Sequence, residues 1–123
     1  MERTRTTDQV ELVNEARLVG TVTRRPEART MPSGDEVVTL RVSVPRGDRA
    51  LGRTSSGAPG TDSVPCIVWA GRARRSVLTW RPGDVVEVTG PVRVRFFHAG
   101  GSTQSRIEVE VTSARVMRRA TAS

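Results

Sequence analysis

Three residues in the segment VRVRFFHAGG, residues 92–101, could bind a ligand through charge and stacking. In an extended strand alternate side chains point to opposite faces, so Arg93, Arg95 and Phe97 would share one face. Phe96 would share the other face with the neighbouring valines, and we expect it to continue a core stripe. Arginine binds phosphate through a planar fork and also stacks on aromatic rings. An aromatic ring beside arginines on a solvated sheet is typical of surfaces that hold single-stranded nucleic acid.

A structural role for the same residues is also consistent with the sequence. If the chain turns at Gly100–Gly101, Arg93 falls near Glu108 and could simply pair with it, while Arg95 falls near Arg106. The aromatic ring could likewise only cover the tip of the hairpin. Pairing with Glu108 would account for Arg93, but it would leave Arg95 and Arg106 side by side without a carboxylate between them. This arrangement favours an anionic ligand for Arg95.

The charge of the chain points to the same class of partner. Its net charge is +7, and all of its basic residues except one histidine are arginine. Such a balance favours a polyanion, although the charge could also serve only solubility. The candidate nucleic-acid-binding residues are Phe97, Arg95, Arg93, Arg106 and Arg41 on predicted strands, and Arg46, Arg49 and Arg53 in a Gly- and Pro-rich stretch, residues 45–62.

Groups that could catalyse a reaction or bind a metal are sparse. His98 is the single histidine and lies at a predicted turn, Cys66 is the single cysteine, and carboxylates such as Asp84 and Glu87 are scattered. We therefore expect no enzyme, no metal site and no cofactor. No apolar run approaches the roughly 20 residues of a membrane span, and the first residues lack the apolar segment of a signal peptide. The expected location is the cytoplasm, in association with the nucleoid.

Valines at alternate positions predict an all-β protein. The predicted strands are residues 16–23, 36–44, 63–71, 84–97 and 103–117, with one helix in GRARRSVLTW, residues 71–80. Gly90–Pro91 should bend the fourth strand. This order predicts an OB-fold, a five-stranded antiparallel Greek-key barrel with a helix between strands 3 and 4. We expect one domain over residues 1–123, with its core at about residues 10–118, a flexible loop at residues 45–62, and Trp69 and Trp80 packed inside.

The motifs along these strands resemble those of a known family. The run NEARLVGTVTRRPEARTMPSGDEVVTLRVSV, residues 14–44, is similar to the opening of bacterial single-stranded DNA-binding proteins. CIVWAG, residues 66–71, and RPGDVVEVTGPVRVR, residues 81–95, continue the resemblance, which covers roughly residues 14–117. The resemblance implies an OB-fold that forms homotetramers and coats single-stranded DNA in replication, recombination and repair.

The resemblance also assigns positions, and this sequence departs from some of them. The family's aromatic at the end of strand four falls on Phe97, whereas two other stacking aromatics fall on Val64 and Ala70, which are not aromatic. The family usually carries an acidic tail tip that recruits replication and repair proteins, whereas this chain stops at the basic RRATAS. Both departures also fit primosomal replication protein N, a dimeric relative in replication restart. A protein-interaction module with weak DNA binding is a further alternative.

Overall fold

The computed structural model describes residues 9–47, 60–69 and 71–121. Its elements are β1 (Ala16–Val22), β2 (Glu27–Thr30), β3 (Glu36–Pro45), β4 (Thr61–Val68), α1 (Gly71–Val77), β5 (Val85–Gly90), β6 (Val92–Ala99), β7 (Ser102–Glu110) and β8 (Ser113–Arg118). The predicted order, with the helix between the third and fourth long strands, is confirmed. Residues 48–59 of the predicted loop lie outside the described ranges.

Two predicted strands are each divided in the structure. The fourth breaks at Gly90–Pro91 into β5 and β6, because proline has no N–H for the ladder and the chain bends there. A Cβ atom on Gly90 would collide with the carbonyl oxygen of Glu110, so only glycine fits this close approach. The fifth breaks after Glu110 into β7 and β8. The Glu110 N–H donates to the Pro91 carbonyl at 2.9 Å and the Thr112 N–H to the Thr89 carbonyl at 2.8 Å, which joins the two bends.

The strands form one strongly curved sheet. Their order is β6-β7-β4-β3-β1-β5-β8, with β2 added on β3. Strands β4 and β7 are parallel, and the other pairs are antiparallel. Because β5 and β6 belong to one segment, Gly90–Pro91 joins the edge strand β6 to β5, the strand next to the opposite edge strand β8. The result is the partly open barrel of an OB-fold, as the sequence predicts.

Strand β2 was not predicted. It lies in the segment 24–35, which the sequence suggests is a turn region, and it pairs with β3 from Glu27 opposite Thr39 to Thr30 opposite Glu36. All four of its side chains are exposed. Without a buried face the strand has no alternating pattern, so its backbone pairing leaves no signal in the sequence.

The core confirms the alternation of the long strands. Its buried members include Val22, Val38, Leu40, Val42, Cys66, Val68, Val77, Trp80, Val86, Val88 and Val109. Trp80 is completely buried, as predicted. A Cβ on Gly20 would meet the Ser43 carbonyl oxygen, so this glycine lets β1 cross β3 closely.

Two aromatic residues predicted to be in the core are exposed instead. Phe96 is 70% exposed, as are large parts of Val94 and Ile107, because the β6–β7 hairpin extends beyond the residues that could cover it. Trp69 is 37% exposed. It follows the last residue of β4, and alternation places it on the face opposite the buried Val68.

Asp84 fixes the end of the described chain. Its carboxylate is 1% exposed and accepts bonds from the Arg81 N–H, the Ala120 N–H and the Arg119 guanidinium at 3.0, 2.8 and 3.0 Å. Burial alone would raise the pKa of this carboxyl, but the two backbone N–H groups and Arg119 outweigh it and lower the pKa below 3.8. Asp84 is therefore ionised in the folded protein at neutral pH.

Candidate nucleic-acid interface

The β6–β7 hairpin has the predicted register. Ala99 lies opposite Ser102 across Gly100–Gly101, whose φ angles of 60° and 82° favour glycine. Arg93 lies opposite Glu108, Arg95 opposite Arg106 and Phe97 opposite Gln104. The stripe of arginines and Phe97 therefore shares one face with the polar residues of β7, away from the core.

A buried carboxylate holds the two opposing arginines. The Arg95 Nε–H donates to Glu108 at 3.1 Å, and the Arg106 Nε lies 3.6 Å from the second oxygen of the same carboxylate. The Glu108 side chain is 8% exposed, against 29% for Arg95 and 45% for Arg106. Like charges directly opposite each other in a sheet repel, and Glu108 offsets that repulsion while fixing both guanidinium groups.

An aromatic ring lies beside each of these arginines. The Arg106 Cζ is 5.4 Å from the centre of the Phe97 ring, and the Arg95 Cζ is 6.0 Å from the centre of the Trp69 ring. Both distances are within the range of cation–π attraction. We call Phe97, Arg106, Glu108 and Arg95 the hairpin cluster. It carries two positive charges against one negative charge next to a half-buried aromatic surface.

Arg93 makes a different contact from the one considered in the sequence. Its Nε–H donates to Glu110 at 2.6 Å rather than to Glu108, which lies directly opposite it. The Arg93 side chain is 58% exposed. Each arginine of β6 therefore pairs with the carboxylate that lies diagonally across from it on β7. As a result, Arg95 and Arg106 share the Glu108 carboxylate.

The other candidate arginines lie around the adjoining strands. Arg41 lies on the open face of β3, opposite Pro65, and donates to the Ser63 carbonyl at 3.2 Å. Arg46 pairs with Asp62 at 2.9 Å beside the loop. Arg49 and Arg53 lie outside the described residues, as does Ala70. Val64 packs against the core, on the face opposite Arg41.

An open groove continues from the hairpin cluster toward β2. Its volume is about 400 Å³, and five arginines against two glutamates line it. These are Arg24, Arg25, Arg29, Arg41 and Arg106, with Glu27 and Glu108. Arg24, Arg25 and Arg29 are not among the residues predicted from the sequence, because residues 24–35 lie between two predicted strands and have the composition of a turn. The Arg-rich composition of that turn was the available signal.

The groups considered for catalysis have no arrangement for it in the described part of the chain. Burial, together with the nearby Glu108 carboxylate, raises the pKa of the Cys66 thiol to about 12, although Arg41 opposes this. A neutral buried thiol is neither a nucleophile nor a metal ligand. His98 is exposed, and the described ranges contain no group of three or more His, Cys, Asp or Glu residues that could hold a metal ion. No helix in these ranges is long and apolar enough to cross a membrane.

Comparison with known proteins agrees with the resemblance seen in the sequence. Residues 13–117 match the Single-strand binding protein family. Single-stranded DNA-binding protein 1 of Streptococcus agalactiae serotype III is 30% identical over 84 residues, which are 68% of this chain and 49% of that protein. Single-stranded DNA-binding protein B of Bacillus subtilis is 28% identical over 70% of this chain and 73% of its own length.

The chain spans about half the length of several of the curated relatives that it matches. Among solved structures, a Plasmodium falciparum SSB complex with ssDNA superposes with a TM-score of 0.68 at 18% identity, over 89% of this chain and 97% of that one. This likeness confirms the OB-fold. The matched names are those of single-stranded DNA-binding proteins, and the similarity to primosomal replication protein N stays a prediction.

Proposed function

Because the chain belongs to the Single-strand binding protein family, we propose that it binds single-stranded DNA without sequence preference in replication, recombination or repair. The hairpin cluster is the observation that carries this proposal. It holds Phe97 on the open face of the sheet, with the Arg106 guanidinium 5.4 Å from the ring centre. Residues of this kind bind any sequence, because every base has a flat face and every nucleotide a phosphate.

The proposed mechanism divides the work between ring and charge. A base stacks on Phe97, and Arg95 and Arg106 take the flanking phosphates. Glu108 keeps both guanidinium groups near the ring before DNA arrives, which lowers the conformational cost of binding. The family is one of binding proteins, and the proposed activity needs no catalytic step, metal or cofactor.

The groove extends this site toward β2. The groove is lined by Arg41, Arg106 and the three arginines of residues 24–29. A single strand of DNA lying across β3 and β4 would therefore meet positive charge along its path. Arg93 and Arg46 are each paired with a carboxylate, and we propose weaker roles for them. Arg49 and Arg53 remain proposed contacts outside the described residues.

We also propose that the protein forms a homo-oligomer, with a tetramer favoured and a dimer possible. Val94, Phe96 and Ile107 are 54%, 70% and 62% exposed on the hairpin face opposite the cluster. An apolar patch of this kind is typical of a protein contact. The same patch supports a second candidate function, a protein-interaction module that binds DNA weakly.

We place the protein in the cytoplasm, at the nucleoid, where its proposed ligand occurs.

Phe97→Ala tests the stacking role most simply. We expect it to weaken binding to a labelled oligothymidylate by about 1–3 kcal/mol, the value of one stacked base. His98→Ala is the matched control, because His98 is the next residue and lies on the opposite face of β6. Equal affinity of both variants and the wild type in fluorescence anisotropy would remove Phe97 from the site.

Arg95→Ala tests the phosphate contact through salt. The plot of log affinity against log salt concentration should become shallower by about 0.7 if one phosphate contact of a single strand is lost. An unchanged slope would show that Arg95 does not contact phosphate.

Light scattering tests the proposed oligomer, because it measures the molar mass of the wild type and of Phe96→Ser in solution. A wild-type mass equal to one chain would contradict the oligomer.

A further inference from the structure

Strand β6 has an open edge on the side away from β7. It is an end strand of the sheet and, among the described residues, it pairs only with β7. Asn14 occupies the first position on that edge: its Nδ2–H donates to the Val92 carbonyl at 2.9 Å, and the Val92 N–H donates to Asn14 Oδ1 at 2.8 Å. Backbone groups of alternate residues in a strand point to the same side, so the N–H and C=O groups of Val94 and Phe96 also point outward. Such an edge can accept a further strand.

The segment before β1 has a register that leads along this edge. We call residues 9–13 the N-terminal arm. Strand β1 pairs antiparallel with β5, with Ala16 opposite Gly90, and β5 continues into β6. Two steps further along the same register place Asn14 opposite Val92, where the two amide hydrogen bonds are found. The pairing of β1 with β5 therefore reaches past the bend to the first residue of β6.

The arm carries apolar residues that match those of β6. Further steps of the register place Leu12 opposite Val94 and Val10 opposite Phe96. These four side chains are exposed in this structure, Leu12 at 91%, and residues 9–13 form no strand. Apolar pairs across neighbouring strands stabilise a sheet, and a two-stranded hairpin is much less stable than three strands with an apolar face. A paired arm would widen the apolar face of the hairpin and leave it open, so it is compatible with the proposed oligomer.

The same register brings a carboxylate to the hairpin cluster. Glu11 lies between Val10 and Leu12, so alternation turns its side chain to the other face of the sheet, directly across from Arg95. Arg95 is already paired with Glu108 at 3.1 Å. A second carboxylate would balance the two positive charges of the cluster and would compete with a phosphate for the Arg95 guanidinium.

We propose that the N-terminal arm pairs with the open edge of β6 as a third strand of the hairpin, with Leu12 opposite Val94, and that Glu11 then opposes phosphate binding at Arg95. The strand pairing stands on the register alone, whereas the effect of Glu11 rests on the proposed function. The arm belongs to the same chain as the edge, because the bonds between Asn14 and Val92 already begin the pairing within one chain.

A disulfide between the arm and β6 tests the pairing. Opposite residues of an antiparallel pair have Cα atoms about 5.5 Å or less apart, which a disulfide can span. Oxidised glutathione should therefore bridge the double variant Leu12→Cys/Val94→Cys within one chain, seen by mass spectrometry as loss of both introduced thiols at single-chain mass. Leu12→Cys/Ile107→Cys is the matched control, because Ile107 lies opposite Val94 on the same face but one strand further away, about 10 Å from the arm. Cys66 is buried and stays reduced.

Each result of the oxidation decides the pairing. A bridge within one chain in Leu12→Cys/Val94→Cys, without one in the control, is the expected result. A bridge between two chains would show that the arm of a second copy occupies the edge. Equal bridging of both variants, or of neither, would show that the arm does not pair with β6. The last three results would each overturn the proposal.

Glu11→Gln tests the effect on DNA binding. It should strengthen binding of a labelled oligothymidylate at low salt about 1.5- to 5-fold, the range of an exposed ion pair, measured by anisotropy. Glu15→Gln is the matched control, because Glu15 is exposed and the register places it opposite Pro91, four residues from Arg95. Equal gains in both variants, or no gain in Glu11→Gln, would overturn the role of Glu11. If the wild type gives no anisotropy change, the proposed function fails together with the role of Glu11, whereas the disulfide still decides the strand pairing.

Discussion

Glu108→Gln should destabilise the protein more than any other single carboxylate-to-amide change on β7. The amide oxygen can still accept one bond from Arg95 or Arg106, but the amide N–H₂ then faces the second guanidinium, donor against donor. Arg95 and Arg106 lie directly opposite each other, and without a shared anion they repel.

The size of the loss follows from these contacts. A hydrogen bond to a charged partner contributes about 1.5–3 kcal/mol and a neutral one about 1 kcal/mol, so the Arg95 bond loses about 1 kcal/mol. The Arg106 contact at 3.6 Å is longer and its side chain is 45% exposed, so solvent reduces its contribution to about 0.5 kcal/mol. The repulsion between the Arg95 and Arg106 guanidinium groups adds to these two losses. Together they lower the free energy of unfolding by about 2 kcal/mol, or Tm by roughly 10 °C for a domain of this size.

Glu110→Gln is the matched control for this prediction. Glu110 lies two residues along the same face of β7, and among the described residues it pairs with Arg93 only. Both side chains are more exposed, at 26% for Glu110 and 58% for Arg93. Its loss should remain below about 1 kcal/mol. Urea unfolding at a fixed protein concentration measures both variants. A loss for Glu108→Gln equal to that for Glu110→Gln would refute the view that one buried carboxylate holds the cluster together.

Three further predictions concern the fold. The folded pKa of Asp84 lies below its ordinary value of 3.8. The stability that the ionised carboxylate contributes is therefore present above pH 3.8 and is lost as the pH falls through the folded pKa. Asp84→Asn should flatten this acid-side decline of the free energy of unfolding, measured in a series of urea unfolding curves. Gly90→Ala should cost about 2 kcal/mol or more in the same unfolding assay, since its Cβ would collide with the Glu110 carbonyl oxygen. Cys66, with a pKa raised to about 12, should react with a thiol reagent at pH 8 in urea-unfolded protein and hardly at all in folded protein; equal rates would contradict its burial.

The sequence predicts the barrel well because its long strands bury one face. Residues such as Val38, Leu40 and Val42 alternate with exposed or half-buried ones, and that period is visible without any structure. Strand β2 has no buried face, so nothing in its composition separates it from a turn. The division of the fourth predicted strand is visible in the sequence at Gly90–Pro91, where glycine and proline mark a bend, whereas the division of the fifth after Glu110 was not predicted.

The candidate site was predicted in part, for a related reason. Alternation correctly places Phe97 with the arginines of β6, but it cannot show how far the hairpin extends beyond the core, so the exposure of Phe96 was missed. Alternation places Trp69 on the same face as Ile67, which is buried, and so predicts a core position for it; its 37% exposure depends on where β4 ends. The role of Glu108 depends on which diagonal partner each arginine reaches, and that is decided by side-chain length and twist rather than by register.

The most direct test of the account compares a labelled oligothymidylate of several tens of nucleotides with a duplex of equal length, by fluorescence anisotropy at low and near-physiological salt. The account predicts tight binding to the single strand that survives at about 0.15 M salt, because stacking is not screened, and weak duplex binding that salt removes. Equal and salt-sensitive binding to both would show that the arginines act only as a diffuse positive charge, and would contradict a stacking site on the β6–β7 hairpin.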